Sequence, residues 1–395
     1  MKTKLIGAAL VLLTAGAVIF YPYLDSSATG QSPQPLPGTP GEQKIQVVFV
    51  LDTTSSMSGL IAAAKEKIWS IATTLAQAEQ APAIEMGIVA YRDRGDAYVT
   101  QVIDLSSDLD TMYGRLMQFA AVGGGDSPES VNQALSDAVH RISWSQDPAS
   151  YQVIFLVGDA PPHMDYAGDV HYPAIVREAV ARGIVVNAIQ CGDMPQTTRY
   201  WTEIAGLGNG RYLKVGQGGD SFAVATPYDD ELAQLAAELD GTRMFYGNSR
   251  QMQQLNSKVA ATDRLTAEAS AAARARRAAF NATESGVRNL FGDQDLVENV
   301  TSGKVELDAV PEEQLPERLR ELDIASQERV IDSLAEERKR LAAEIEALTA
   351  SRSAYIAERA EAEDGAAGSL DRQLFDTVRE QAAPKGLSFE GGPEF

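Results

Sequence analysis

The chain holds one cysteine in 395 residues, Cys191, so no disulfide can form within it and no framework of bridges can stand in for a core. That cysteine closes Ile184-Val-Val-Asn-Ala-Ile-Gln-Cys191, an apolar strand-like run, which makes it a buried, inert thiol rather than a reactive one. Basic residues are also scarce, 34 Lys and Arg against 55 Asp and Glu, for a formal net charge of −21. This balance excludes nucleic acid as a partner, because phosphate binding needs clustered Lys and Arg. No Gly-x-x-x-x-Gly-Lys-Ser/Thr loop occurs, so no nucleotide partner is expected. No serine nucleophile elbow is visible either. What is present suits globular folding: 44% of the residues are hydrophobic and 23% charged, in a chain long enough for two or three domains and at least one large core.

The N-terminal stretch carries Lys2 and Lys4, then residues 5–20 without a charge, then Tyr21-Pro22-Tyr23-Leu24. Residues 1–24 therefore read as a signal anchor of about 20 apolar residues or a cleaved signal peptide with its cut near Ser26-Ser27-Ala28. The two lysines favour a cytoplasmic N-terminus. The expectation is a chain anchored in the cell inner membrane, with everything after residue 24 facing the periplasm or exterior. The alternative is a soluble secreted or periplasmic protein. Residues 25–43 are a Pro/Gly/Ser linker.

From residue 44 to about 243, strand-like and helix-like runs alternate. Strands are predicted at 45–51, 84–91, 98–104, 152–158, 184–190 and 211–215, and helices near 58–79, 108–120, 129–144, 171–182, 197–206 and 229–240. Such alternation gives an α/β fold with a doubly wound, mostly parallel sheet covered on both faces. The stretch 97–105 is the candidate antiparallel edge strand. Residues 244–395 are expected to be mostly helical: 250–285 helical, 286–316 a connector, and a long charged helix over 326–363. In that helix Ile331, Leu334, Leu341, Ile345, Leu348 and Tyr355 follow a 3-4 heptad, with Arg338 and Arg352 at two seam positions. The seam suits coiled-coil packing, within the chain or in a dimer, and the two arginines favour the former.

The chemistry-bearing residues lie in three predicted strand-end loops. Lys44-Ile-Gln-Val-Val-Phe-Val-Leu51 is an apolar strand that runs into Asp52-Thr53-Thr54-Ser55-Ser56. A carboxylate and two hydroxyls at alternate positions put three oxygen ligands on one side of the turn, a donor set for a hard divalent cation. Gly123-Gly-Gly-Asp126-Ser-Pro-Glu129 is a glycine turn from which Glu129 can project, and Tyr151-Gln-Val-Ile-Phe-Leu-Val-Gly-Asp159 is a strand ending in an acid. In open α/β sheets, ligands bind at such carboxyl ends. Ordinary structural roles compete with this one: Ser55, Ser56 or Ser58 as a helix cap, Asp126 as the cap and Glu129 as a first-turn acid of the next helix. His163 and His171 read as satisfied loop residues.

These motifs resemble a von Willebrand factor A domain with its metal-ion-dependent adhesion site. Asp52, Thr54 and Ser56 match the Asp-x-Ser-x-Ser signature, with Thr for the first Ser. Asp126-Ser-Pro-Glu129 is similar to the metal-reaching loop of integrin β subunits, and Asp159-Ala-Pro-Pro-His163 to the acid-ended fourth strand. Taken whole, the chain is similar to bacterial membrane- or periplasm-directed proteins in which such a domain is followed by a helical region. The resemblance covers about residues 44–243 and implies Mg²⁺ (or Mn²⁺ or Ca²⁺) held by Asp52, Thr54, Ser56, Glu129 and, through water, Asp159. Departures are informative. Ser58-Gly59-Leu60 stands where integrin β subunits carry an acidic pair for an adjacent ion. Gly87-Ile-Val-Ala-Tyr-Arg-Asp93 matches a strand whose acid serves another flanking ion. Asp93 with Asp126 and Glu129 is thus a weaker second site, since Gly124 replaces the family's Asn ligand, and a capping or salt-bridge role for Asp93 beside Arg92 and Arg94 is favoured over it.

The function implied is a divalent-metal-dependent protein-binding module, an adhesion or scaffold protein outside the cytoplasm, whose metal accepts a carboxylate from an acidic side chain of a protein partner. A structural scaffold acting through the C-terminal helices is the alternative. An enzyme is not expected. A Mg²⁺-dependent phosphotransfer reaction with Asp52 as nucleophile would want a second carboxylate two residues on, where Thr54 stands.

Overall fold

The near-continuous apolar run at residues 45–51 becomes β1 (Lys44–Asp52), which lies at the centre of a six-stranded sheet of order β3-β2-β1-β4-β5-β6. The computed structural model describes residues 43–125, 127–216, 225–362 and 369–389. The expectations for segment 1–24, for linker residues 25–42 and for Asp126 lie outside them. Among the described residues no helix is long and apolar enough to cross a membrane. The remaining strands are β2 (Ala83–Tyr91), β3 (Thr100–Ser106), β4 (Tyr151–Gly158), β5 (Ile184–Cys191) and β6 (Asn209–Val215). All pairings are parallel except β2 with β3, the antiparallel edge. β4 is buried along its whole length, as expected of an interior strand covered on both faces.

Successive side chains of β1 leave opposite faces of the sheet. Ile45, Val47 and Leu51 enter one core, with Val153 and Phe155 of β4, beneath α1 (Ser58–Ala76) and α2 (Leu109–Gln118). Val48 and Val50 enter the other, with Val89, Ile154 and Leu156, beneath α3 (Val131–His140), α4 (Tyr172–Ala181) and α5 (Pro195–Leu207). The strand order reverses between β1 and β4, so their carboxyl ends open onto a topological switch point.

The following helices are α6 (Asp229–Gly241), α7 (Ser249–Glu268), α8 (Ala271–Asn281), α9 (Glu284–Phe291), α10 (Leu296–Thr301), α11 (Glu317–Arg320), α12 (Ile324–Ala362) and α13 (Leu370–Ala382). The predicted connector at 286–316 is thus helical in its first half. Leu290, Phe291, Leu296 and Val297 are buried there, and Gly292 at φ 65° supplies the turn that separates α9 from α10.

Helix α12 matches the heptad-bearing helix, but no coiled coil forms among the described residues. Its seam packs on α6, α8 and α10 of the same chain. Ile331, Leu341 and Ile345 are buried, whereas Leu334 and Leu348 are half-buried. The two seam arginines explain the choice of partner. Arg338 forks onto Asp295 at 2.8 and 2.9 Å, and Arg352 donates to Asp229 at 2.9 Å. A symmetric seam would set each arginine against apolar residues or its own copy.

Helix α13 returns to the sheet and completes its first face. Leu374 and Val378 join the core of β1 and β4, and Gln381 exchanges hydrogen bonds with Asn187 of β5 at 2.8 and 3.1 Å. Phe375, 1% exposed, meets Phe389 edge-on with ring centroids 6.4 Å apart. Phe375→Ala is expected to cost about 3–5 kcal/mol, read as a lower urea midpoint at unchanged slope.

Candidate metal centre

The first loop is built by Asp52, which extends the second-face alternation of β1 past the core. Asp52 is fully buried, and its Oδ1 accepts from Thr54 N at 2.9 Å and Thr54 Oγ1 at 2.7 Å. Thr54 Oγ1 lies 3.2 Å from Ser56 Oγ, and Ser56 hydrogen-bonds the Asp159 carboxylate at the end of β4. Asp52, Thr54, Ser56 and Asp159 thus form one connected chain of oxygens across the switch point.

Glu129 reaches the same place without belonging to a helix. Its N–H donates to Pro161 O at 2.9 Å and its carbonyl accepts from His163 N at 3.0 Å. The glycine loop and the loop after β4 are zipped together there, and α3 begins two residues later. The first-turn-acid role for Glu129 is therefore not the one adopted. Gly124, at φ +72°, lies between the first loop and this acid. A Cβ there would lie 2.8 Å from Thr54 Cβ and 3.2 Å from Glu129 Oε1. No side chain could occupy the place of the family's Asn, because Thr54 and Glu129 already close on the backbone.

Asp93 faces other partners. Its oxygens accept from Ser130 Oγ at 2.8 Å and Tyr166 Oη at 2.7 Å, and His163 Nε2 lies 3.4 Å away. Tyr166 stacks on His163 with ring centroids 3.9 Å apart, and Arg94 lies 4.0 Å above the Tyr166 ring. Asp93 therefore ties the glycine loop to the loop after β4. His171 precedes α4, outside this cluster.

Three contributors were not read from the sequence. Asp96 accepts from Gly124 N at 3.0 Å and Asp93 N at 3.3 Å, fixing the glycine turn; an acid just after Gly95 was the available signal. Arg92 donates to Thr53 O at 3.1 Å and Ala120 O at 2.9 Å, holding the first loop against the second. The fully buried Tyr91 lies among the carboxylates, its phenol pushed up by burial and by Asp52, Glu129 and Asp159.

Electrostatics make these acids poor neighbours for one another. Burial, then Asp159, push Asp52 up to about 7 against the hydrogen bonds of Thr54. Burial and the charges of Asp52, Asp93, Asp96 and Asp159 push Glu129 up to about 9, and burial also raises Asp159. Asp52 Oδ2 and Glu129 Oε2 are buried without a hydrogen-bond partner. Among the described residues no group of three or more His, Cys, Asp or Glu side chains stands ready as an all-carboxylate or imidazole cluster. The donor set is instead mixed, two hydroxyls with few acids, and two orphaned carboxylate oxygens are what a divalent cation would satisfy. The residues fit such an ion, which Asp52, Thr54, Ser56 and Glu129 would hold.

Asp52 and Glu129 must both ionise to bind a cation, so metal uptake at pH 7 should release roughly one to two protons per ion. Mg²⁺ titrations in buffers of different ionisation heat measure this directly. Equal enthalpies in all buffers would contradict it.

The family model described as von Willebrand factor A domain matches residues 46–207. No curated protein matches the chain. Among solved structures, the conserved hypothetical protein BatB from Bacteroides thetaiotaomicron is similar at 17% identity and a TM-score of 0.34, over 44% of this chain and 90% of that one. Proximal thread matrix protein 1 from the mussel byssus, with a zinc-occupied adhesion motif, is similar at 13% identity and a TM-score of 0.34, over 44% of this chain and 42% of that one. A von Willebrand factor type A protein from Catenulispora acidiphila is similar at 16% identity and a TM-score of 0.33, over 44% of this chain and 39% of that one. Residues 46–207 take in five of the six strands, the switch point and every candidate ligand in the described residues, and this stretch of the chain is a von Willebrand factor A domain.

Proposed function

We propose that the chain is a divalent-metal-dependent protein-binding module, not an enzyme, working outside the cytoplasm with residues 1–24 as its membrane anchor. The observation that carries this reading is the pair of orphaned carboxylate oxygens, Asp52 Oδ2 and Glu129 Oε2, at the switch point of the sheet. Asp52, Thr54, Ser56 and Glu129 would hold Mg²⁺ (or Mn²⁺ or Ca²⁺), with Asp159 acting through water. Such an ion offers an acidic side chain of a partner protein a place to bind. Chemistry at Asp52 is disfavoured, because the group two residues on is a threonine whose hydroxyl already donates to Asp52.

The test is a pull-down from native membranes with the full chain, wild type and Asp52→Asn, each in Mg²⁺ and in EDTA. Retention by wild type in Mg²⁺ alone is expected. Equal retention in all four samples would sink the reading in favour of a scaffold working through the C-terminal helices.

A further inference from the structure

Tyr91 ends β2 directly beside Asp52 in the parallel register of β1 and β2. It is fully buried, and its ring belongs to the second face with Val50, Leu156 and Trp201. The side chain therefore passes under β1 towards β4. Its hydroxyl arrives at Gly158, where a methyl group would collide with the phenol oxygen and would lie 3.3 Å from both Asp52 Cβ and Trp201 Cζ2. The missing side chain of Gly158 is the space that the hydroxyl enters, and Asp52 stands beside that space.

This hydroxyl bonds nothing among the described residues, and neither does Asp52 Oδ2. A phenylalanine would fill the same apolar surroundings without burying an unpaired O–H, so the phenol is unfavourable for the fold alone. A buried donor without an acceptor and a buried acceptor without a donor lie on neighbouring residues of adjacent strands.

We propose that Tyr91 is a positioning residue of the metal centre, its O–H donating to the Asp52 carboxylate in the metal-loaded protein and fixing how that carboxylate faces the ion. This rests on the reading of the site as a divalent-metal centre. The hydroxyl acts through Asp52 and need not touch the ion. Outer partners of this kind orient ligating groups and keep them from rotating away.

The experiment compares wild type and Tyr91→Phe as full chains, by calorimetric titration with Mg²⁺ alone and by Tm in EDTA. Mg²⁺ affinity is expected to fall roughly 10–100-fold, while the metal-free Tm stays level or rises because an unpaired hydroxyl has left the core. Unchanged affinity in Tyr91→Phe would overturn the positioning role and leave the metal centre standing. A fall in metal-free Tm parallel to the loss of affinity would make the role structural and overturn it too. No Mg²⁺ binding by wild type would overturn the metal centre and this inference together. Gly158→Ala supplies a second reading. It should weaken Mg²⁺ binding when Tyr91 is present by displacing the hydroxyl, and weaken it much less in the Tyr91→Phe background. Equal losses in both backgrounds count against the proposal.

Discussion

Mg²⁺ is expected to raise the Tm of the wild-type protein, and Asp52→Asn to abolish that rise while leaving the metal-free protein folded and more stable at pH 8. The first effect follows from ligand linkage: an ion present at about 100 times its dissociation constant stabilises by about 2.7 kcal/mol. Asp52 is the one carboxylate in the first loop, and the hydroxyls of Thr54 and Ser56 alone cannot replace the hydration of Mg²⁺. The second effect follows from the sign of its shift. Its folded pKa of about 7 lies above the ordinary value of 3.8, so protonation stabilises the metal-free fold. That stability is present in full below about pH 4 and is lost as pH rises through 7. A neutral amide of the same shape keeps an acceptor for Thr54 N–H and removes the loss. Metal-free Tm should therefore fall less between pH 5 and 8 in Asp52→Asn than in wild type. An undiminished Mg²⁺-induced shift in the variant would remove Asp52 from the ligand set.

The second large effect is expected at Arg277, where the helical region is pinned to the α/β unit. Arg277 of α8, 2% exposed, donates to Asp110 of α2 at 2.6 and 2.7 Å and to Asp240 of α6 at 2.9 Å twice. Burial pushes Asp110 up, but the guanidinium of Arg277 overcomes it and holds the carboxyl well below its usual range. Arg277→Ala strips four hydrogen bonds from these two acids, one of them fully buried, and leaves Arg243 to hold both; it should cost about 3 kcal/mol, the low end for breaking a buried pair. The sign is opposite to that at Asp52. A depressed acid contributes stability above its unfolded pKa and loses it as pH falls, so the gap between wild type and Arg277→Ala should narrow below about pH 4. Urea unfolding of both proteins at pH 7 and pH 3.5 measures this. A gap that stays constant with pH would mean that the loss is packing rather than charge.

The parts of the chain that could be read in advance are those governed by local pattern. β1, β2, β4 and β5 are short apolar runs bounded by turn signals, and each strand was legible to within a few residues. Asp52, Thr54 and Ser56 were legible because a strand-to-loop transition fixes their relative positions without help from elsewhere. Residues whose roles depend on distant partners were not. Asp96 matters only because Gly124 returns beside it, and Tyr91 only because β4 has no side chain at Gly158. The turn residues around Gly292 and Asp293 suggested a connector, while Leu290, Phe291 and Leu296 find their burial against α8 and α12 from far along the chain. Arg338 and Arg352 looked like flaws in a heptad seam. They are instead what aligns α12 with Asp295 and Asp229.

The return of α13 to the sheet also bears on how the chain is made. The hydrogen bond from Tyr151 Oη to Gln381 Oε1, 2.9 Å, spans 230 residues, and Leu374 and Val378 cover strands finished long before them. At a synthesis rate of about 5–20 residues per second, the stretch from the end of β6 to α13 takes on the order of ten seconds or more to emerge. For that interval the completed sheet would carry an apolar wall open to water beside Val47 and Phe155. Such a nascent domain is a natural client for a holding chaperone, and its yield should depend on how fast translation brings the last helix out.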